Sequence, residues 1–150
     1  MTSNANPGDG QSQFMIDSAQ FHHLGYATRG IDKAIDTFTP LGYQREGDEF
    51  IDHTQGIRGL FMVGGGPRVE LLENLPSSDV LTPWINRGVG VYHLAYEVGS
   101  LSTTMAKLRL QRARVVMEPV PAVAFGGRNI MFAMLRSGLL LEFIEASPGQ

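Results

Sequence analysis

No cysteine occurs among the 150 residues, which excludes disulfides, thiolate nucleophiles and thiolate-held zinc. Any metal must therefore bind through nitrogen and oxygen. Long apolar runs are missing too, since nothing approaches the roughly 18 residues that a membrane-spanning helix needs. Positive charge is sparse and scattered: 12 Lys and Arg face 15 Asp and Glu, for a formal net charge of −3. That balance lacks the footprint of a nucleic-acid binder. The first 13 residues are rich in Asn, Ser, Gly and Gln, without the basic start and apolar stretch of a signal peptide. These absences lead to the expectation of a cytoplasmic protein that binds neither nucleic acid nor membrane, with residues 1–18 as a flexible tail.

What is present is an ordinary globular composition, 43% hydrophobic and 18% charged, long enough to bury one core. The informative feature is an internal repeat. His23-Leu24-Gly25-Tyr26 aligns with His93-Leu94-Ala95-Tyr96 at an offset of 70 residues (23 to 93). Val69-Glu70-Leu71-Leu72-Glu73 aligns in the same way with Leu141-Glu142-Phe143-Ile144-Glu145. The His-to-Glu separations are 47 and 49 residues (23 to 70, 93 to 142). Each half reads as a strand, a helix and three further strands. The helices are expected at 32–39, stopped by Pro40 and Gly42, and at 101–112, capped by Ser100. Further strands are expected at 43–51, 59–63 and 68–72, and at 114–117, 129–135 and 139–144.

The fold class is therefore α+β: two βαβββ modules forming a curved mixed sheet around a metal cavity. One domain is expected over residues 19–147, with a first module at about 20–76, a connector at 77–88 holding one or two helical turns, and a second module at about 89–146. Neither half is large enough to close a core alone, so the two should pack together.

Side chains alternate along a strand, which places His23, Gly25 and Ala27 on one face and His22, Leu24 and Tyr26 on the other. If the two sheets curl toward each other, His23, Glu70, His93 and Glu142 meet in one cavity. Two imidazoles and two carboxylates suit one divalent ion such as Zn, Mn, Co, Ni or Fe(II). Glu70 and Glu142 stand between apolar neighbours, where an uncompensated carboxylate would be costly to bury. Glu73 and Glu145 read as exposed strand ends. His22 reads as a packed residue because its repeat partner is Tyr92, and His53 is ambiguous. Phe61, Met62, Met131, Phe132 and Met134 are candidates for both core and cavity lining. The stretch 120–128 resembles a closing loop in which Phe125 meets a ligand and Arg128 pairs with a carboxylate or phosphate. A plain hairpin turn is the competing reading.

Together these motifs resemble the vicinal oxygen chelate superfamily (glyoxalase, bleomycin resistance and dioxygenase proteins), over roughly residues 21–146. The most similar branch is that of methylmalonyl-CoA epimerase, which the Gly126-Gly127-Arg128 loop also resembles. The resemblance implies a small-molecule substrate that presents two adjacent oxygens to the metal. It further implies stabilisation of an enolate while a base moves a proton, and a homodimer. In the epimerase branch a catalytic Glu stands where this chain has Thr54, which cannot act as a general base at neutral pH without strong activation. Thr54 is then a substrate-contacting candidate, and the base is expected to be Glu142 first and Asp52 second.

The leading expectation is a metal-dependent isomerase, epimerase or lyase of the glyoxalase type, acting on a small acid, acyl-thioester or polyketide-like compound. An iron(II)-dependent dioxygenase and a non-catalytic small-molecule-binding protein of the resistance type are the alternatives.

Overall fold

The computed structural model describes residue 16 and residues 18–147. Most of the expected tail, 1–15 and 17, lies outside the described residues. Among the described residues no helix is long and apolar enough to cross a membrane.

Ile31, Ala34, Ile35 and Phe38 recur at the spacing of one helical face, and α1 (Ile31–Phe38) forms there. It runs into a 3₁₀ turn (Thr39–Leu41) carrying Pro40, and Gly42 ends that turn with a left-handed φ of 95°. In α3 (Leu101–Leu110) the N-cap Ser100 accepts a hydrogen bond from the Thr103 backbone N–H, as expected. The helix stops two residues earlier than the apolar spacing suggested, because Arg112 adopts a left-handed φ of 57°. A third, short helix, α2 (Thr82–Asn86), lies in the connector.

The strands are β1 (Gln20–Ala27), β2 (Gln44–Asp52), β3 (Ile57–Val63) and β4 (Val69–Asn74) in the first module. In the second they are β5 (Val91–Val98), β6 (Arg114–Pro121), β7 (Asn129–Met134) and β8 (Leu140–Glu145). β6 is longer than the expected 114–117 because the extended backbone continues to Pro121 at the sheet edge, where a missing donor is tolerated.

All eight strands belong to one sheet, in the order β2-β3-β4-β1-β5-β8-β7-β6. Within each module the first strand pairs parallel to the last, β1 with β4 and β5 with β8. The modules then join antiparallel through β1 and β5. The second half of this order mirrors the first, so equivalent positions face each other across the central pair.

Pleat alternation sorts the apolar residues onto two faces. On one, α1 covers Leu60, Met62, Val69 and Leu71, and α3 covers Met131, Ala133, Leu141 and Phe143. On the other face lie two more apolar clusters, one around Ile57, Leu72 and Leu81, the other around Ala95, Phe125, Ile130 and Ile144. Met62 and Met131 are thereby assigned to helix packing, and Phe61 and Phe132 to the opposite face.

The two outer edges of the sheet meet, which makes it a curved wall. Asp52, at the end of β2, is 1% exposed. Its Oδ2 accepts the backbone N–H of Val123 at 3.1 Å, just beyond β6, and its Oδ1 accepts the Gln55 N–H at 3.1 Å. The Gln55 side-chain amide donates to Oδ2 at 2.8 Å. One carboxylate thus holds strands that the topology places farthest apart. Removing it leaves three part-buried donors without their acceptor, each bond worth about 1 kcal/mol. Asp52→Ala is expected to lower stability by roughly 3 kcal/mol, measured as a reduced urea midpoint with an unchanged slope.

Candidate metal centre

β1 and β5 each carry one imidazole to the concave side, and the neighbouring parallel strands β4 and β8 each carry one carboxylate beside it. The register places Gly25 opposite Glu70 and opposite His93, and Ala95 opposite Glu142 and opposite His23. Small residues at 25 and 95 therefore leave room for the ring from the partner strand. At Gly25 this is a strict requirement, since a Cβ there would overlap the His93 imidazole. Gly25→Ala is expected to displace that ring and weaken metal binding roughly 10- to 100-fold, the range seen when a ligand's support is lost. Calorimetric titration checks it, and an unchanged affinity would contradict the packing argument.

His23, Glu70, His93 and Glu142 each offer one ligand atom, and these atoms all lie within 4.8 Å of one another. His23 Nε2 is 3.2 Å from His93 Nε2, 3.7 Å from Glu70 Oε1 and 3.6 Å from Glu142 Oε1. His93 Nε2 is 3.9 Å from Glu142 Oε2. Donors bound at about 2.1 Å to one ion stand roughly 3.0 to 4.2 Å apart, depending on whether they are adjacent or opposite. The four groups are 0%, 4%, 1% and 2% exposed, so water cannot compensate them. Among the described residues, Glu142 Oε1 and His93 Nδ1 have no hydrogen-bond partner. An orphaned buried carboxylate oxygen inside a set of convergent donors is what a cation would satisfy. The residues fit a divalent ion.

Burial also dictates the protonation of the cluster without metal. It pushes Glu70 up to about 8, with Asp52 adding to the rise. Glu142 is driven well above the ordinary carboxylate value by burial and by Glu70. His93 is held down to about 3 by burial, and His23 falls well below its usual value through burial and its imidazole neighbours. The short His–Glu contacts therefore join uncharged groups at neutral pH.

Strict alternation misplaced one residue. The pairing of β1 with β5 shifts register between Phe21 and His23 and again between Gly25 and Tyr26, leaving His22 on one strand and Tyr92 on the other as extra residues. Such a bulge turns two consecutive side chains toward the same region. His22 therefore lies at the site, its Nδ1 2.8 Å from His23 Nδ1, with its ring edge-on to Phe61 and Phe125. With an ion on Nε2, His23 Nδ1–H would be the donor in this contact and His22 the acceptor, the support a metal-binding imidazole ordinarily has. Tyr92, the repeat equivalent, packs edge-on to His93 with ring centres 4.5 Å apart. His22 and Tyr92 occupy equivalent positions directly before the two imidazoles, a signal the repeat alignment already contained.

Glu73 and Glu145 are half-buried rather than exposed ends. Glu73 Oε2 accepts the Ile31 N–H at the start of α1, and its other oxygen meets Arg58 at 2.7 Å. Glu145 Oε2 accepts the Asn129 N–H. Thr54 lies in the turn after β2, not on the strand, and lines a cavity of ≈ 340 Å³ whose wall includes Tyr92 and Phe132. Phe125 is buried and stacks on His23 with the rings 5.9 Å apart and 19° from parallel. Arg128 is committed elsewhere: its guanidinium donates to the carbonyls of Phe125 and Glu145 and meets Glu97 at 3.3 Å. The loop is a tight turn, closed by bonds from Ala122 N to Arg128 O and from Gly127 N to Ala122 O, both 3.0 Å. His53 is exposed in the turn after β2.

Paired modules that share one curved sheet, with a His-Glu pair from each, define a class of metal-binding α+β proteins. Residues 22–132 match the family model of the Glyoxalase/Bleomycin resistance protein/Dioxygenase superfamily, and the chain belongs to that superfamily. Among solved structures it is similar to a hypothetical protein from Bacillus halodurans C-125, with 25% identity, a TM-score of 0.75, and coverage of 89% of this chain and 98% of that one. It is also similar to methylmalonyl-CoA epimerase from Mycobacterium tuberculosis, with 28% identity, a TM-score of 0.71, and coverage of 91% and 96%. A Streptomyces coelicolor methylmalonyl-CoA epimerase variant in complex with 2-nitronate-propionyl-CoA shares the fold, with 20% identity, a TM-score of 0.66, and coverage of 86% and 95%. A search of curated proteins found no significant match.

Proposed function

We propose that the protein is a metal-dependent isomerase, epimerase or lyase of the glyoxalase type, which removes a proton from the carbon next to a carbonyl in a small acid, thioester or polyketide-like substrate. The observation that carries this reading is the convergence of two buried carboxylates and two imidazoles beside a cavity large enough for a small substrate. His23, Glu70, His93 and Glu142 would hold the ion. A bound divalent ion would polarise the substrate carbonyl and lower the cost of forming negative charge on its oxygen by several kcal/mol.

The chain's own residues account for the rest. Glu142 is the base: one of its two carboxylate oxygens would stay on the ion while the other accepts the proton. Asp52 is a poor candidate because three donors occupy its oxygens. Thr54 would contact substrate from the cavity wall, which it lines. Phe61 and Phe125, whose rings pack around His23, exclude water from the cluster. The likeness to an epimerase at 28% identity supports chemistry at a carbon beside a carbonyl.

Four protein donors leave a six-coordinate ion two open positions, which a substrate with two adjacent oxygens fills. An iron(II) dioxygenase needs a further position for oxygen, which disfavours that alternative. Proton exchange tests the reading: metal-loaded protein in deuterated water should introduce deuterium at the carbon between the carbonyls of 2-substituted malonyl thioesters or beside the carbonyl of 2-hydroxy ketones, followed by NMR. No exchange in any of these compounds would overturn it.

A further inference from the structure

The ≈ 340 Å³ cavity beside the cluster has a chemistry that the metal reading leaves unused. Its wall draws on both modules and on the connector: Ile57 and Thr54 from the first, Val80 and Trp84 from the connector, Met117 and Phe132 from the second. None of its lining residues carries a charge. A phosphate or a second carboxylate would meet no cation there, and burying either without one is costly. Val80 and Val116, at the opening, are exposed apolar residues that an apolar ligand would cover.

The cavity lies one layer of rings away from the metal cluster. Tyr92 and Phe132 both line it, and both pack edge-on against His93, with ring centres 4.5 and 5.2 Å away. A ligand reaching from this cavity to the cluster would pass beside these two rings and so leave its far end in apolar surroundings.

Resting on the metal-site reading above, we infer that this cavity binds the uncharged apolar body of the substrate, an aryl or branched alkyl group, and that the preferred substrate is a hydrophobic chelating carbonyl compound. A thioester of a large, multiply phosphorylated carrier is the class it disfavours. A phenyl group occupies about a third of such a volume and removes enough apolar surface from water to strengthen binding roughly 10- to 100-fold over a methyl group.

The test uses the full chain loaded with Zn²⁺ and two bidentate probes, acetohydroxamic acid and benzohydroxamic acid, with affinities measured by calorimetry. Trp84 is the single tryptophan of the chain and lines the cavity, so its fluorescence reports where a probe sits. Benzohydroxamic acid should bind at least about tenfold more tightly than acetohydroxamic acid and should change Trp84 emission, whereas acetohydroxamic acid should not. Val116→Arg, a substitution at an exposed position, should abolish that preference while leaving Zn²⁺ and acetohydroxamic acid binding unchanged. Equal affinities for the two probes on protein that binds one Zn²⁺ would overturn the inference, as would displacement of benzohydroxamic acid from the cavity by S-methyl coenzyme A, which has no free thiol to bind the ion. Failure of Zn²⁺ itself to bind is read separately, in the metal titration, and would overturn the metal site first and this inference with it.

Discussion

One equivalent of Zn²⁺, Co²⁺ or Ni²⁺ is expected to raise the thermal midpoint of the metal-free protein by roughly 10 °C at pH 8, the shift produced when ligand exceeds its dissociation constant about a thousandfold in a domain of this size. The effect should be much smaller at pH 6. Burial holds Glu70 up to about 8 and raises Glu142 well above its ordinary value, so both are shifted toward the protonated form in the metal-free protein. A metal needs them ionised. Binding near pH 7 should therefore release up to about two protons, one from each carboxylate, while the imidazoles, already neutral, release none. Calorimetry in two buffers of different ionisation enthalpy measures that number.

Metal-free stability should run the opposite way above pH 6.5. A carboxylate whose folded pKa is raised stabilises fully below its unfolded value near 4.5 and loses that contribution as pH rises toward about 8. An imidazole whose folded pKa is depressed, as for His93 at about 3, stabilises fully above its unfolded value near 6.5 and loses that contribution as pH falls toward 3. Between about 4.5 and 6.5 the two pairs oppose each other, and above 6.5 only the carboxylates still titrate. From pH 6.5 to 8 the contribution of Glu70 alone should fall by roughly 2 kcal/mol as metal affinity climbs. A metal-free protein that gained stability over this interval, with no response to metal, would contradict the assigned protonation states.

Glu142→Gln should lower the rate of proton exchange at saturating metal by about 10²- to 10⁴-fold, the usual contribution of a positioned general base. The amide keeps an oxygen for coordination and removes the basic one. Glu70→Gln should behave differently: among the described residues its ion-pair contact is to His23, at 3.7 Å, so its loss should weaken metal binding and be largely recovered at high metal concentration. Glu142 touches both imidazoles, at 3.6 and 3.9 Å. Steady-state exchange rates of both variants across a metal titration separate the two carboxylates. If Glu70→Gln abolished exchange at saturating metal while Glu142→Gln did not, the base would be Glu70.

The repeat made much of this architecture legible before any tertiary contact was known. Two matching His-Leu-small-Tyr segments and two matching Glu-containing apolar strands named the four residues that converge, because a duplicated module places equivalent side chains equivalently. Helical spacing located α1 and α3, and Ser100 marked the start of α3, since these signals act within one turn of chain.

Other features depend on distant chain segments. Alternation put His22 on the far side from His23, and only the slipped pairing of β1 with β5 brings both to the site. Glu73 and Glu145 read as solvated ends until α1 and β7 supplied backbone donors for them. Asp52 resembled a spare carboxylate, and the closing of the sheet onto Val123 gave it a different task. Thr54 lines a cavity only because the connector completes its wall. By itself, the sequence determined which residue types recur and at what spacing, because side-chain periodicity is a local property of the backbone. Tertiary structure decided which atoms remain unsatisfied and which face water, since burial and strand register are set by partners far along the chain.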